Sequence, residues 1–117
     1  GLSVEVDPSR YQDCLDMETQ GVVFAILEEA INNAKKHAQA TEIYVPLGVE
    51  NGVFIAEVVD DGRGFDVDLI EQNYRSRGSL GLINLKERAE LIDGTLTIES
   101  TPGRGTRVTV VVPLEKE

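Results

Sequence analysis

The feature that most constrains the fold is a long amphipathic segment from about Thr19 to Ala38. Apolar residues recur in it at helical spacing: Val23, Ile26, Leu27, Ala30, Ile31 and Ala34. This spacing predicts one long helix with a single buried stripe. Such a stripe needs a broad apolar partner, and most of the remaining apolar residues fall in runs typical of strands.

The predicted strands come mainly as two hairpins. EIYVPLGVE and VFIAEVVD flank Asn51-Gly52, a dipeptide typical of tight hairpin turns. TLTIES and TRVTVVVPL flank Pro102–Gly105 in the same way. A further short strand is predicted over about 2–6, and residues 7–16, opened by Asp7-Pro8-Ser9, are expected to be a connection. Pro46 favours a sheet edge or a bulge at its position.

GLINLKERAELID predicts a second helix through Leu82, Leu85, Ala89 and Ile92, with Gly94 as its C-terminal stop. Residues 61–80 are expected to form a loop, with at most a short helix near 68–73. The order β–α–β–β–loop–α–β–β has too few helices to cover both faces of a sheet. The predicted fold class is therefore α/β, a two-layer sandwich of one mixed, mostly antiparallel sheet with helices on one face. Residues 1–117 are expected to form one domain.

Composition narrows the function classes. The 117-residue chain carries a formal net charge of −10, which disfavours nucleic acid as a partner because binding a phosphate backbone needs a cationic face. A phosphate ligand would have to be held by local donors such as backbone N–H groups and a divalent cation. The single cysteine, Cys14, cannot form an internal disulfide, and no run reaches the roughly 20 apolar residues of a membrane span. Because the chain starts without methionine, we expect it to be a piece of a longer protein.

A second stripe of the first helix is polar. Glu29, Asn33 and Lys36 lie within roughly 60° of one another on the helix, beside the apolar stripe. Two interpretations are open: a solvated polar face, or one wall of a cleft. Asn is a poor helix former, and its carboxamide oxygen is a ligand suited to Mg²⁺. His37, the only histidine, is more typical of a packed or capping residue than of a metal ligand.

Six of the eleven glycines fall in three pairs: Gly62/Gly64, Gly78/Gly81 and Gly103/Gly105. The second pair opens a helix, where N–H groups face an anion, and the third is the one most typical of a plain turn. No Walker-type phosphate loop occurs. The motifs E-x-x-x-N, D-x-G-x-G, G-x-x-G and G-x-G-T follow in that order, and together they are far more specific than any of them alone.

With these motifs the chain resembles the ATP-binding catalytic domain of sensor histidine kinases, in the GHKL superfamily with the Bergerat fold. LEEAINNAKKHA resembles the N box and VVDDGRGFD the G1 box. The G2 box with its following strands is resembled by GSLGLINLKERAELIDGTLTIESTPGRGTRVTVVVPL. The resemblance covers about 22–114. ERAELIDGTLTIES is most similar to the subfamily whose response regulators are of the NarL type. That subfamily has a short ATP lid, and only about a dozen residues separate Phe65 from Gly78 here.

The resemblance implies a role for each motif residue. Glu29 matches the general base that polarises an accepting imidazole, and Asn33 matches the Mg²⁺ ligand. Asp60 matches the aspartate that accepts a hydrogen bond from the adenine amino group, while Asp61 and Asp66 are expected to be solvated turn residues. The other implied nucleotide contacts are Lys36, His37, Gly62, Gly64, Arg77, Gly78, Gly81, Leu82 and Thr106. For Arg77, as for Arg75, a plain exposed arginine is an equal alternative.

The implied ligands are ATP and Mg²⁺, and the implied phosphoryl acceptor is a histidine on a separate dimerisation domain, with a response regulator downstream. We expect this chain to lack that dimerisation domain, so ATP binding is expected and transfer only in trans or in the parent protein. The isolated domain is expected to be monomeric, without nucleic-acid contacts, and cytoplasmic whether or not the parent is membrane-anchored.

Two alternatives stay open. An anti-sigma-factor serine kinase shares E-A-x-x-N and D-x-G-x-G on the same fold, although its G2 segment normally lacks the ERAELIDG helix and the VVVPL ending. A non-catalytic nucleotide-binding module would keep the fold without the transfer. The nature of the transferred phosphate separates a histidine kinase from a serine kinase, since phosphohistidine is acid-labile and phosphoserine is acid-stable.

Overall fold

The computed structural model describes residues 2–10, 15–37, 39–64 and 82–114, without the side chains of residues 9, 10, 37 and 82–84. These ranges hold β1 (Ser3–Arg10), α1 (Met17–His37), β2 (Glu42–Glu50), β3 (Val53–Asp60), α2 (Leu82–Leu91), β4 (Thr95–Ser100) and β5 (Thr106–Pro113). The strands form one sheet in the order β1-β2-β3-β5-β4. Only β1 and β2 pair in parallel, so the predicted mixed, mostly antiparallel sheet is confirmed.

Both helices cover the same face of the sheet. α1 contacts β3, α2 contacts β4, and the two helices contact each other. Strand side chains alternate between the two faces, so every second residue of β3 enters the core. The core combines residues of both layers: Val23, Ile26, Leu27, Ala30, Ala34, Ile43, Val45, Phe54, Ala56, Val58, Leu85, Ala89, Leu96, Val108, Val110 and Val112. The predicted two-layer sandwich is confirmed.

α1 begins two residues before its predicted start. The Asp16 side chain is its N-cap, because Thr19 N–H donates to Asp16 Oδ1 at 2.8 Å. Hydrogen bonds from Thr19 also lower the pKa of the Asp16 carboxyl below its ordinary value. The helix ends at His37, and the predicted stripe through Val23 and Ile26 is fully buried.

The turns follow local chemistry. Asn51 and Gly52 have φ of 54° and 82°, as the predicted hairpin turn requires. α2 ends just before Gly94, as predicted, and the residue with left-handed φ is Asp93, at 58°. Gly94 N–H donates to Ala89 O at 2.8 Å, which completes the cap. The lack of a side chain at Gly94 lets it pack closely against Val111 O.

β1 is longer than its predicted range of 2–6. It continues through the segment expected to be a connection because β2 supplies pairing partners as far as Arg10↔Gly48. The register shifts between Asp7 and Arg10, around Pro8, which has no N–H to donate. Pro46 lies on β2 between β1 and β3, so it marks no sheet edge; the irregularity begins just past its pairing with Asp7.

Within the described ranges, no helix is long and apolar enough to cross a membrane. The predicted loop over 61–80 is described only as far as Gly64. The short helix suggested near 68–73 lies outside the described residues.

Candidate functional site

Three polar residues form a row across one end of the sheet, at the end of β3, the start of β5 and the end of β4. Asp60 pairs with Thr106, and Thr106 pairs with Ser100. Paired residues of antiparallel strands project to the same face, so this cross-strand row faces the helix layer. Asp60 is only 8 % exposed, and among the described residues it is the only charged one that is buried.

The Asp60 carboxylate is held by backbone donors. Gly62 N–H donates to Asp60 Oδ1 at 2.7 Å, and Thr106 N–H also donates to this carboxylate. Burial raises the pKa of Asp60, and these two hydrogen bonds partly oppose the increase. Two backbone N–H groups therefore fix a buried acceptor whose remaining lone pairs suit a ligand that donates.

Two of the three predicted glycine pairs pack against each other. Gly103 N–H donates to Arg63 O at 2.6 Å, which ties the loop after β3 to the β4–β5 turn. Gly64, with φ of 66°, lies against Thr101 O, and Gly105, with φ of 81°, lies against Asp60 O. A Cβ at Gly64 or Gly105 would overlap these carbonyl oxygens. The Pro102–Gly105 segment is therefore not the plain turn that its sequence suggests.

Asp61 does more than the expected solvated turn residue. Although exposed, its carboxylate accepts from Thr41 N–H at 2.8 Å, Thr41 Oγ1–H at 2.7 Å and Glu42 N–H at 3.0 Å. These hydrogen bonds, the one from the Thr41 side chain first, lower the pKa of Asp61 to about 2. Asp61 thus ties the start of β2 to the residue that follows Asp60, and the prediction for Asp61 is wrong in this respect.

This contact predicts a pH-dependent stability. Because the pKa of Asp61 is about 2 in the folded chain and 3.8 ordinarily, its stabilising contribution is complete above pH 3.8 and is lost as the pH falls through about 2. Asp61→Asn is expected to unfold at a lower temperature than the wild type at pH 6, with the difference shrinking toward pH 2. Thermal unfolding across this range measures it, with Glu90→Gln on exposed α2 surface as control. A difference independent of pH would contradict the assignment.

The polar stripe of α1 lies at the margin of the core. Glu29 and Asn33 are half-buried and Lys36 is exposed. Among the described residues, no group of three His, Cys, Asp or Glu side chains is arranged to hold a metal ion. The Asn33 carboxamide oxygen is a neutral, hard donor of the kind that suits Mg²⁺.

The remaining predicted site residues are only partly described. His37 ends α1 and Leu82 begins α2, but their side chains lie outside the description. Asp66, Arg75, Arg77, Gly78 and Gly81 fall outside the described residues altogether. Of the predicted set, the structure brings together Asp60, Gly62, Gly64 and Thr106.

The sequence analysis did not identify two residues that contact the predicted site residues or their neighbours, Thr41 and Ser100. Thr41 contacts Asp61 from the connection between α1 and β2, and no local motif marks it. Ser100 contacts the Thr106 hydroxyl, and here a signal exists. The turn between TLTIES and TRVTVVVPL places Ser100 opposite Thr106 in the hairpin register.

A sequence profile of the family described as histidine kinase-, DNA gyrase B- and HSP90-like ATPase matches residues 19–116. The chain belongs to this family. The cross-strand row of this chain, and the two glycine-containing loops that pack against each other, are therefore parts of a histidine-kinase-type ATPase domain.

Relatives of this ATPase domain are themselves named as kinases. The chain is 43% identical over 102 residues to an uncharacterised sensor-like histidine kinase of Chloroflexus aurantiacus, covering 86% of this chain and 17% of the relative. It is 39% identical over 92 residues to the signal transduction histidine-protein kinase/phosphatase DegS of Bacillus subtilis, covering 79% of this chain and 23% of that protein. The chain thus spans about a fifth of the length of these relatives.

The fold likewise matches a solved structure. The ATP binding domain of PrrB from Mycobacterium tuberculosis superposes with a TM-score of 0.77 at 24% identity. The match covers 98% of this chain and 82% of that one.

Proposed function

We propose that this domain binds Mg-ATP and presents the γ-phosphate to a histidine on a separate dimerisation domain, in two-component signalling through a response regulator of the NarL type. The observation that carries the proposal is the buried Asp60 carboxylate, which two backbone N–H groups hold at the end of the sheet. A buried acceptor of this kind suits the amino group of adenine, and the family is one of ATPases.

The other motif residues take the roles that the family resemblance implies for them. Glu29, half-buried on α1, is the general base that polarises the accepting imidazole, and Asn33, one turn further along, contributes to holding the magnesium ion. The other residues that hold the phosphates of ATP, through hydrogen bonds or positive charge, are Lys36, His37, Arg77, Gly78, Gly81 and Leu82. Local donors are required because the net charge of −10 repels a free nucleotide. When bound, a magnesium ion would neutralise part of the negative charge of the phosphates.

The test is a calorimetric titration of the chain with ATP, with and without Mg²⁺, followed by transfer to a purified dimerisation domain supplied in trans. Glu29→Gln should bind ATP as the wild type does but transfer about 100-fold or more slowly, the contribution typical of a general base. Glu28→Gln is the matched control, because Glu28 is the neighbouring exposed glutamate on the same helix. It should bind and transfer as the wild type does.

Each other outcome has a definite meaning. Absence of magnesium-dependent binding by the wild type would contradict the proposal. Acid-stable phosphate on a partner protein would instead support the serine kinase alternative. Loss of ATP binding in Glu29→Gln would show that Glu29 is structural.

A further inference from the structure

The third member of the cross-strand row, Ser100, has no role in the proposed function, yet its hydroxyl closely contacts groups of the neighbouring strand and turn. Ser100 Oγ donates to Gly105 O at 2.9 Å. It also lies 2.8 Å from Thr106 Oγ1, a contact in which either hydroxyl is able to donate. Ser100 is half-buried on the helix side of β4.

Counting protons decides the direction of the second contact. A serine hydroxyl carries one hydrogen, and Ser100 gives it to Gly105 O. The hydrogen between the two hydroxyls must then come from Thr106, so Thr106 Oγ1–H donates to Ser100 Oγ. With its only hydrogen committed, Thr106 Oγ1 is left with acceptor lone pairs alone.

We propose that Ser100 is a positioning residue that makes the Thr106 hydroxyl a hydrogen-bond acceptor and thereby sets the preference of the site for an amino group over an oxo group on the purine base. This inference rests on the proposed function, in which the base contacts Asp60.

The chemistry of the row explains the preference. Asp60 and Thr106 are cross-strand partners on the same face, and both present only acceptors to a ligand. The exocyclic amino group of adenine has two hydrogens and satisfies two acceptors. An oxo group at the same ring position has no hydrogen to donate, so its lone pairs would face those of the Asp60 and Thr106 oxygens and repel them. Without Ser100, the Thr106 hydrogen is free to turn toward an oxo group and the discrimination weakens.

The test compares ATP with inosine triphosphate, which has the same sugar and phosphates but carries an oxo group at C6 and a hydrogen on N1. Both differences are the same for every variant, so a change in the ratio between variants reports on the protein. The measured quantity is the ratio of the two dissociation constants. Ser100→Ala is expected to lower the preference for ATP by about three- to tenfold, the factor for one neutral hydrogen bond. Ser100→Thr, which retains a hydroxyl, should restore it. Thr97→Ala is the control, since Thr97 lies exposed on the same strand and the opposite face.

The outcomes separate this inference from the proposed function. Failure of the wild type to bind ATP would contradict the proposed function itself. If the wild type binds ATP, then equal affinity for inosine triphosphate would overturn the inference about Ser100. An unchanged ratio in Ser100→Ala would overturn it as well, including the case in which both affinities fall together with the melting temperature, because that result indicates a purely structural role.

Discussion

Replacing Asp60 with asparagine is expected to weaken ATP binding by about 10- to 100-fold, the range for one hydrogen bond to a charged acceptor. The physical reason is the environment of this carboxylate. Gly62 N–H and Thr106 N–H hold it in place, and burial keeps it out of reach of competing water. An asparagine has one acceptor oxygen instead of two and places an amide donor where the adenine amino group also donates.

Calorimetric titration with Mg-ATP measures this loss, and Glu90→Gln serves as the control for a change of one charge at an exposed site. Because burial raises the pKa of Asp60, wild-type binding should also weaken as the pH falls through that raised pKa, when the carboxylate takes up a proton. The asparagine variant should not show this decrease. If Asp60→Asn bound ATP as tightly as the wild type, the base would have to be recognised elsewhere.

The second large effect is expected at Gly105. Gly105 and Gly103 have φ of 81° and 83°, so alanine is strained by about 1–2 kcal/mol at either position. At Gly105 the added Cβ overlaps Asp60 O, whereas no atom of the described residues beyond the chain neighbours lies within 4 Å of a Cβ at Gly103. Gly103→Ala is therefore expected to cost about 1–2 kcal/mol of unfolding free energy, and Gly105→Ala about 3 kcal/mol or more once the steric overlap is added. Gly105→Ala should also abolish ATP binding, because Asp60 must move.

Urea denaturation and ATP titration of the two variants, side by side, test this prediction. The pair is well matched, since the two glycines lie in the same β4–β5 turn and have nearly the same positive φ, while the space around a Cβ differs between them. Equal destabilisation of the two variants would mean that the turn yields without disturbing Asp60. Retained ATP affinity in Gly105→Ala would carry the same meaning.

Much of the fold was predictable because its signals are local. The buried stripe of α1 follows from spacing within one segment, and the Asn51-Gly52 hairpin follows from two residues that tolerate positive φ. The length of β1 was not predictable in this way. Its second half pairs with β2 across more than thirty positions of sequence, and pairing overrode the turn-forming character of Asp7-Pro8-Ser9.

In the candidate site, too, local motifs were predictable from the sequence and contacts between distant segments were not. Asp60 and the glycines carry recognisable motifs, and the structure assembles several of them. The contact of Asp61 with Thr41 depends on β2 and β3 becoming neighbours, so no short motif indicates it. The contact of Ser100 with Thr106 follows instead from the register of the β4–β5 hairpin. The functional roles of the motif residues stay predictions until the variants are measured.

The residues of the cross-strand row belong to β3, β4 and β5, and other residues of these three strands lie in the core. Backbone pairing and burial in such strands generally protect side chains better than exposed loops do. A nucleotide held there would therefore stabilise the entire domain by mass action and slow the amide hydrogen exchange of its core strands. The folding equilibrium of the protein would thus shift with nucleotide concentration, by an amount that the affinity of the site determines.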